Sequence, residues 1–274
     1  MNQTPPAPPV TPRPAATMLL LRDSPKGIET FMVVRHDNMD FMGGQMVFPG
    51  GKVEFHDQDA ALRPYCRGAT GLDDTAFGLR VAAIRETFEE SGLLLAYARG
   101  ADHFLPQERL GNLARHYARK VNAGEATLHD IVEHENLDLA TDQVVPFAHW
   151  ITPAVRAKRF DVHFFIAPAP DAHAVAVHDG HESVDSEWVT CEAAFDAMRQ
   201  GRRIVPFPTQ ANLARLNKSK TMAEAIAVAR RTPIVTVQPY FENGVRRLPE
   251  GSGYDHVEIF PPKKDATTAP SPGR

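Results

Sequence analysis

Cysteine is nearly missing from this 274-residue chain: Cys66 and Cys191, 125 positions apart, are the only two. So few thiols exclude a disulfide-stapled framework and a cysteine zinc cluster, although the count alone does not decide a single bridge between them. Long hydrophobic runs are missing too, none approaching the ~18 residues that span a bilayer. The opening MNQTPPAPPVTPRP has neither a basic start nor an apolar core, so it does not read as a secretory signal. A strong charge of one sign is also absent. Lys plus Arg number 30 against 34 for Asp plus Glu, a net charge of −4. With no block of five like charges, the chain carries no footprint for nucleic acid or an acidic membrane surface. A few local arginines or a bound metal would still suffice for a phosphate ligand. What remains is an ordinary globular composition, 43% hydrophobic and 23% charged, which excludes a disordered or collagen-like chain. A reduced cytoplasm is the expected compartment.

Six of the first fourteen residues are proline, and residues 261–274 hold four more. Both ends are too poor in apolar residues to fold alone, so flexible tails are expected at 1–14 and 261–274 around one domain at 15–260. Ala16–Leu21 and Thr30–Arg35 read as strands joined by a turn at Ser24-Pro25-Lys26-Gly27. A helix is predicted from about Thr75 to Ser91, with Asp73 or Asp74 as N-cap and Gly92 as C-cap. Helices are expected within 107–135, at 192–200, 208–216 and 221–231. Strands are expected at Val144–Ile151, Phe160–Ala167 and Val184–Thr190, and a hairpin around Glu242-Asn243-Gly244. Strands mixed with helices without regular alternation point to an α+β or mixed sheet packed between helices.

The chemistry concentrates in Arg85-Glu86-Thr87-Phe88-Glu89-Glu90-Ser91-Gly92-Leu93. At ~100° per residue, Glu86, Glu89 and Glu90 share one helix face, opposite a core stripe of Val81, Ile84 and Phe88. Three carboxylates on one face raise each other's pKa unless a cation intervenes, and carboxylate oxygens suit Mg²⁺ or Mn²⁺. Arg85 sits one turn before Glu89 and can orient it. On their own, three glutamates fit a solvated helix face at least as well. Upstream, Phe48-Pro49-Gly50-Gly51-Lys52 is a turn whose backbone can approach a ligand closely. It is not a P-loop, because Met46 and Val53 stand where that motif needs Gly and Ser or Thr.

Together the two segments resemble the box of the Nudix hydrolases. Gly51 fits its first Gly, and Arg85 through Leu93 fit its second half, with Thr87 at a position usually apolar. The first acidic residue of the box falls on Asp57, and 27 residues separate it from Arg85, where the family usually has seven. Such an insertion costs little closure entropy and is similar to that of the acyl-coenzyme A diphosphatase branch. Residues 57–74, with Arg63, Tyr65 and Arg67, are expected to form a flexible lid or wall whose deletion leaves a folded protein. Arg35, Gly44 and Phe48-Pro49-Gly50-Gly51 also fit the coenzyme A pattern, whereas His36 and Asp40 replace its Ser and second Arg. Arg159-Phe160-Asp161, and Glu182 six residues before Trp188, are similar to the same branch.

The resemblance implies an α/β/α sandwich around a mixed sheet, with extra helices at 107–135 and 208–231. It implies a metal-dependent hydrolase of a nucleoside diphosphate derivative, coenzyme A or an acyl-coenzyme A first. The alternatives are ADP-ribose, a dinucleotide or a nucleoside triphosphate, or a Nudix-fold sensor that binds without cutting. Glu86 and Glu90 are the implied metal ligands for Mg²⁺ or Mn²⁺, with Glu89 as ligand or base, Glu182 supplementary and the Gly50 carbonyl a further ligand. Arg85, Glu86 and Glu89 are the catalytic candidates. Arg35, Phe48, Gly51, Arg156 and Arg159 are the substrate-binding candidates, and a homodimer is compatible with the resemblance. His129 and His134 read as surface residues, while His163 alternates with Val162 and Phe164 and so faces either a cleft or the core.

Overall fold

The computed structural model describes residues 10–36, 44–171, 183–243 and 245–254. Strand β1 (Arg13–Ser24) turns into β2 (Gly27–Arg35), followed by the short β3 (Met46–Val47) and β4 (Gly50–Lys52). Helix α1 (Asp74–Ser91) leads to β5 (Ala96–Ala98), α2 (Gln107–Leu113), α3 (Arg119–Asn122), α4 (Leu128–His134) and β6 (Leu137–Leu139). Then come β7 (Val145–Ile151), β8 (Phe160–Pro168), β9 (Ser183–Thr190), α5 (Cys191–Arg199), α6 (Phe207–Leu216) and α7 (Met222–Arg231). Short strands β10 (Thr236–Val237), β11 (Tyr240–Glu242) and β12 (Val245–Arg247) close the described chain, the last two paired antiparallel.

Eight strands form one mixed sheet in the order β10-β7-β8-β1-β2-β3, with β4 on β1 and β9 on β2. β1 runs parallel to β8 and antiparallel to β2 and β4. Strand alternation sorts the apolar side chains to two faces. Ala16, Met18, Leu20, Phe31, Val33 and Phe165 pack under α1 and the 93–144 region. Leu19, Leu21, Met32, Phe164 and Ile166 pack on the other face with residues of α5, α6 and α7, such as Ala194, Leu213 and Ala229. The expected α/β/α sandwich is therefore the observed one.

The sheet splits along β1. Its first half pairs with β4 at Ala15–Thr17 and its second half with β2 at Leu21–Ser24. Pro49 fills the gap, its carbonyl accepting the Met18 N–H at 2.9 Å. The Phe-Pro-Gly-Gly turn is thus held at the mouth of a fork, directly beneath α1.

Two expectations about the chain's organisation change. β1 begins at Arg13, so ordered structure reaches into the segment read as the first tail; residues 1–9 and 261–274 lie outside the described residues. Segment 57–74 is not a loose lid. Leu62 and Ala69 are buried in the α1 core, and the Arg67 N–H donates to Leu139 O at 3.0 Å. The Arg63 guanidinium lies over the Phe77 ring at 4.3 Å. Loop-closure entropy permits the insertion; side-chain burial then makes it part of the domain.

Candidate active site

Helix α1 starts where Asp73 caps it, its side chain accepting the Ala76 N–H, and stops at Gly92 in the left-handed conformation with φ 72°. Gly takes that conformation without steric cost. Val81, Ile84 and Phe88 are fully or almost fully buried, as their spacing predicts. Thr87, the residue in place of an apolar one, is also buried and donates its hydroxyl to Ala83 O at 2.7 Å. The helix itself satisfies that polar group.

Arg85 organises the glutamate face. Its Nε and one terminal nitrogen donate to the two Asp57 oxygens at 2.9 and 3.0 Å. The same terminal nitrogen donates to Lys52 O at 2.8 Å, and the other to Glu86 Oε1 at 3.0 Å and Glu89 Oε1 at 2.9 Å. All five guanidinium N–H groups therefore have an acceptor. Burial works against the Arg85 charge, but the bond to Asp57 and the charges of Glu86, Asp57 and Glu89 outweigh it and raise its pKa.

One cation facing three carboxylates leaves negative charge uncompensated. Burial pushes the Glu86 carboxyl up to about 8; Arg85 opposes the rise and Glu89 adds to it. Burial likewise raises Glu89, against the pull of Arg85. Glu90 is 3% exposed, with an Arg35 terminal nitrogen 3.9 Å from its Oε1. A buried, all-oxygen donor set of this kind fits a hard divalent cation.

Gly51 explains why glycine stands in the turn. A Cβ there would lie 2.6 Å from Glu86 Cδ and Oε2, so a side chain would displace the carboxylate. Gly50 lies in register with Thr17 on β1, and a Cβ would meet Ala16 O at 2.6 Å. The first keeps the glutamate in place and the second keeps the fork closed.

The structure thus brings Arg85, Glu86, Glu89, Glu90, Arg35, Gly50 and Gly51 to one place. Glu182 and Asp40 lie outside the described residues. Phe48 does not face the cluster: it is 2% exposed and packs on the opposite face of the sheet. Arg159 is buried as well, donating to Thr152 O at 3.1 Å and Val10 O at 2.7 Å. Its side chain ties the start of β8 to the chain before β1 through two of its five N–H groups. Arg156 is exposed and close enough to Arg246 to lower the latter's pKa, behind the larger effect of burial.

Sequence reasoning left Asp57 outside the metal face, and the structure gives it a definite place as the buried clamp on Arg85. The box spacing pointed to that residue, but its contact with Arg85 runs across the insertion and has no local signature. A cavity of about 500 Å³ is lined by Gly68, Arg80, Asp142 and Arg230 among others, and by none of the three glutamates.

The fork-shaped mixed sheet, the capped helix and its arginine-held glutamates define a Nudix hydrolase, and the chain belongs to that family. A family model described as the NUDT19 Nudix domain matches residues 67–216, more than half of the chain. The chain is 27% identical over 210 residues to nudix hydrolase 7 of Caenorhabditis elegans, covering 76% of this chain and 61% of that protein. It is 25% identical over 230 residues to the acyl-coenzyme A diphosphatase NUDT19 of Xenopus laevis, covering 69% and 59%. The chain thus spans about three fifths of the length of these two relatives. A solved Nudix hydrolase from Alicyclobacillus acidocaldarius aligns with a TM-score of 0.63 at 25% identity, over 81% of this chain and 99% of that one. Among the described residues no helix is long and apolar enough to cross a membrane.

Proposed function

We propose that the chain is a divalent-cation-dependent hydrolase of the diphosphate linkage in a nucleoside diphosphate derivative, with coenzyme A or an acyl-coenzyme A as first substrate. The observation that carries the reading is the pair Glu86 and Glu89 on α1 sharing one guanidinium, with the Glu86 carboxyl pushed up to about 8 by burial first and by Glu89 second, and buried Glu90 beside them. A non-cutting sensor would be expected to have lost carboxylates from the helix, whereas this chain keeps Glu86, Glu89 and Glu90. The name of the Xenopus relative and the Phe-Pro-Gly-Gly turn support the coenzyme A choice.

In this reading Glu86 and Glu90 hold Mg²⁺ or Mn²⁺, with the Gly50 carbonyl as a further ligand and Glu182 as a supplementary one. When bound, the cation neutralises charge on the diphosphate oxygens and makes water a better nucleophile. Water attacks one phosphorus and the bridging P–O bond breaks, a carboxylate of the cluster taking the proton; Glu89 serves as a further ligand or as that base. Arg85, fixed by Asp57 and Lys52 O, positions Glu86 and Glu89 so that little reorganisation is needed during reaction. Arg35, beside Glu90, supplies positive charge to a substrate phosphate, and Arg156, exposed in the turn between β7 and β8, is the second candidate. The free thiols of Cys66 and Cys191 suit a reducing cytoplasm as the place of action.

The test is product release with Mg²⁺ and Mn²⁺ over coenzyme A, acetyl-coenzyme A, ADP-ribose, a dinucleotide and a nucleoside triphosphate. The reading expects 3′,5′-ADP and 4′-phosphopantetheine from coenzyme A as the favoured reaction. Turnover of ADP-ribose at a much higher kcat/KM would overturn the substrate choice. Binding of these compounds with no cleavage of any would overturn the hydrolase.

A further inference from the structure

A second group of ligating side chains lies outside the glutamate cluster. Asp161 and His163 are two residues apart on β8, so strand alternation puts both on one face. His149 on β7 stands directly opposite His163 in the antiparallel register. The two imidazoles stack with centroids 4.0 Å apart. His149 Nε2 bonds Asp161 Oδ1, and His163 Nε2 lies 3.6 Å from the same oxygen. One donor atom from each of the three lies within 4.8 Å of the others. The Thr236 hydroxyl of β10 meets the far nitrogen of His149, Nδ1, at 2.8 Å. That contact turns Nε2 inward, as partners of metal-bound histidines commonly do. None of the three side chains is sealed off, their exposures being 15% for His149, 34% for Asp161 and 31% for His163.

Two neutral imidazoles and one carboxylate are a donor set for a borderline divalent ion, in contrast to the all-oxygen set on α1. We propose that His149, Asp161 and His163 form a second metal site that takes Zn²⁺ or a similar late first-row cation. With bonds of about 2.0–2.1 Å, a tetrahedral ion separates its ligands by roughly 3.3 Å. Occupancy therefore spreads the close His149–Asp161 pair and draws in the longer His163–Asp161 contact, a side-chain adjustment within fixed strands. Three protein ligands leave a position for water or an anionic oxygen. The site shares its sheet face with the glutamates. Ala16 of β1 is in register with Gly51 on one side and His163 on the other, two strand spacings or roughly 10 Å. The site does not depend on the hydrolase reading.

The test uses the full chain, stripped with chelator and held in excess Mg²⁺ to occupy oxygen sites, then titrated with Zn²⁺ against a chromogenic chelator. One equivalent of Zn²⁺ should bind, and His149→Gln, His163→Gln or Asp161→Asn should each weaken it by at least about tenfold. Thr236→Val should weaken it less. Because a variant in the sheet can fail to fold, the wild-type protein supplies an independent readout. Zn²⁺ should shift the His149 and His163 imidazole resonances, and Co²⁺ should give the intense visible bands of a four-coordinate site. A folded wild-type chain that binds no zinc under these conditions, or zinc binding that leaves both imidazole signals unmoved, would overturn the site.

Discussion

Asp57→Asn probes the clamp on which the site geometry rests. The carboxylate is 1% exposed and accepts two parallel bonds from Arg85, at 2.9 and 3.0 Å. Its Oδ2 also accepts the Glu54 N–H at 2.8 Å. The amide keeps one acceptor, removes the charge and turns an NH₂ toward a guanidinium or a backbone N–H, so that one bond becomes a contact between two donors. Breaking a buried ion pair costs ~3–5 kcal/mol. Glu86 and Glu89 still face Arg85, which puts the expected loss at the lower end, about 3 kcal/mol. That is a large share of the ~5–15 kcal/mol that holds a domain together. Urea unfolding followed by the fluorescence of Trp150 and Trp188 measures it, and with a urea slope of ~1–3 kcal/mol per molar the midpoint should fall by about 1 M or more. A double-mutant cycle with Arg85→Lys should show that the two losses are not additive. A loss below about 0.5 kcal/mol, typical of surface substitutions, or full additivity would refute the clamp.

Gly51→Ala should fold with near-normal stability yet lose most divalent-cation-dependent activity, because its Cβ displaces the Glu86 carboxylate. Gly50→Ala, whose Cβ meets β1 backbone, should instead lower thermal stability by about 1–3 kcal/mol; equal behaviour of the two in melting and activity assays would contradict the assignment. Glu86, raised to about 8, binds its proton more tightly folded than unfolded, so its contribution to stability is full in acid and is lost as pH rises toward 8. The metal-free protein should therefore lose more stability between about pH 5 and pH 8 than Glu86→Gln does, and Mg²⁺ should restore it; a parallel pH profile for both proteins would refute the shift. Deleting residues 57–74 should abolish cooperative unfolding, since Asp57, Leu62 and Ala69 leave with it. A deletion protein that melts cooperatively near the wild-type temperature would show the segment to be dispensable.

The features legible in the sequence are those with a local signature. The α1 cap at Asp73, the stop at Gly92 and the stripe Val81-Ile84-Phe88 need only helical period and capping chemistry. Strands β7 and β8 appeared as apolar runs within one residue of their observed ends. Contacts set by register were not legible. His149 meets His163 because β7 and β8 pair at that register, and the mutual stagger of two strands leaves no mark on either one. Phe48 was read as a substrate contact from motif position, whereas strand alternation sends it to the α5–α7 side, and the burial of Arg159 at the β8 start, with bonds to Thr152 O and Val10 O, had no local signature either. The 57–74 segment misled for a related reason. Its polar composition hides that Arg63 and Arg67 lay their guanidinium groups on the Phe77 and Tyr97 rings, which is packing rather than solvation.

The central claim is that the α1 glutamates hold a divalent cation, and Mn²⁺ binding tests it most directly. Free Mn²⁺ measured by electron paramagnetic resonance should reveal a site in the wild-type protein. A folded Glu86→Gln/Glu90→Gln double variant should bind at least about tenfold more weakly, two of its carboxylate ligands having gone. His163→Gln, on the far side of β1 from Gly51, should leave that site unchanged. Mn²⁺ binding of undiminished strength in the folded double variant would contradict the account.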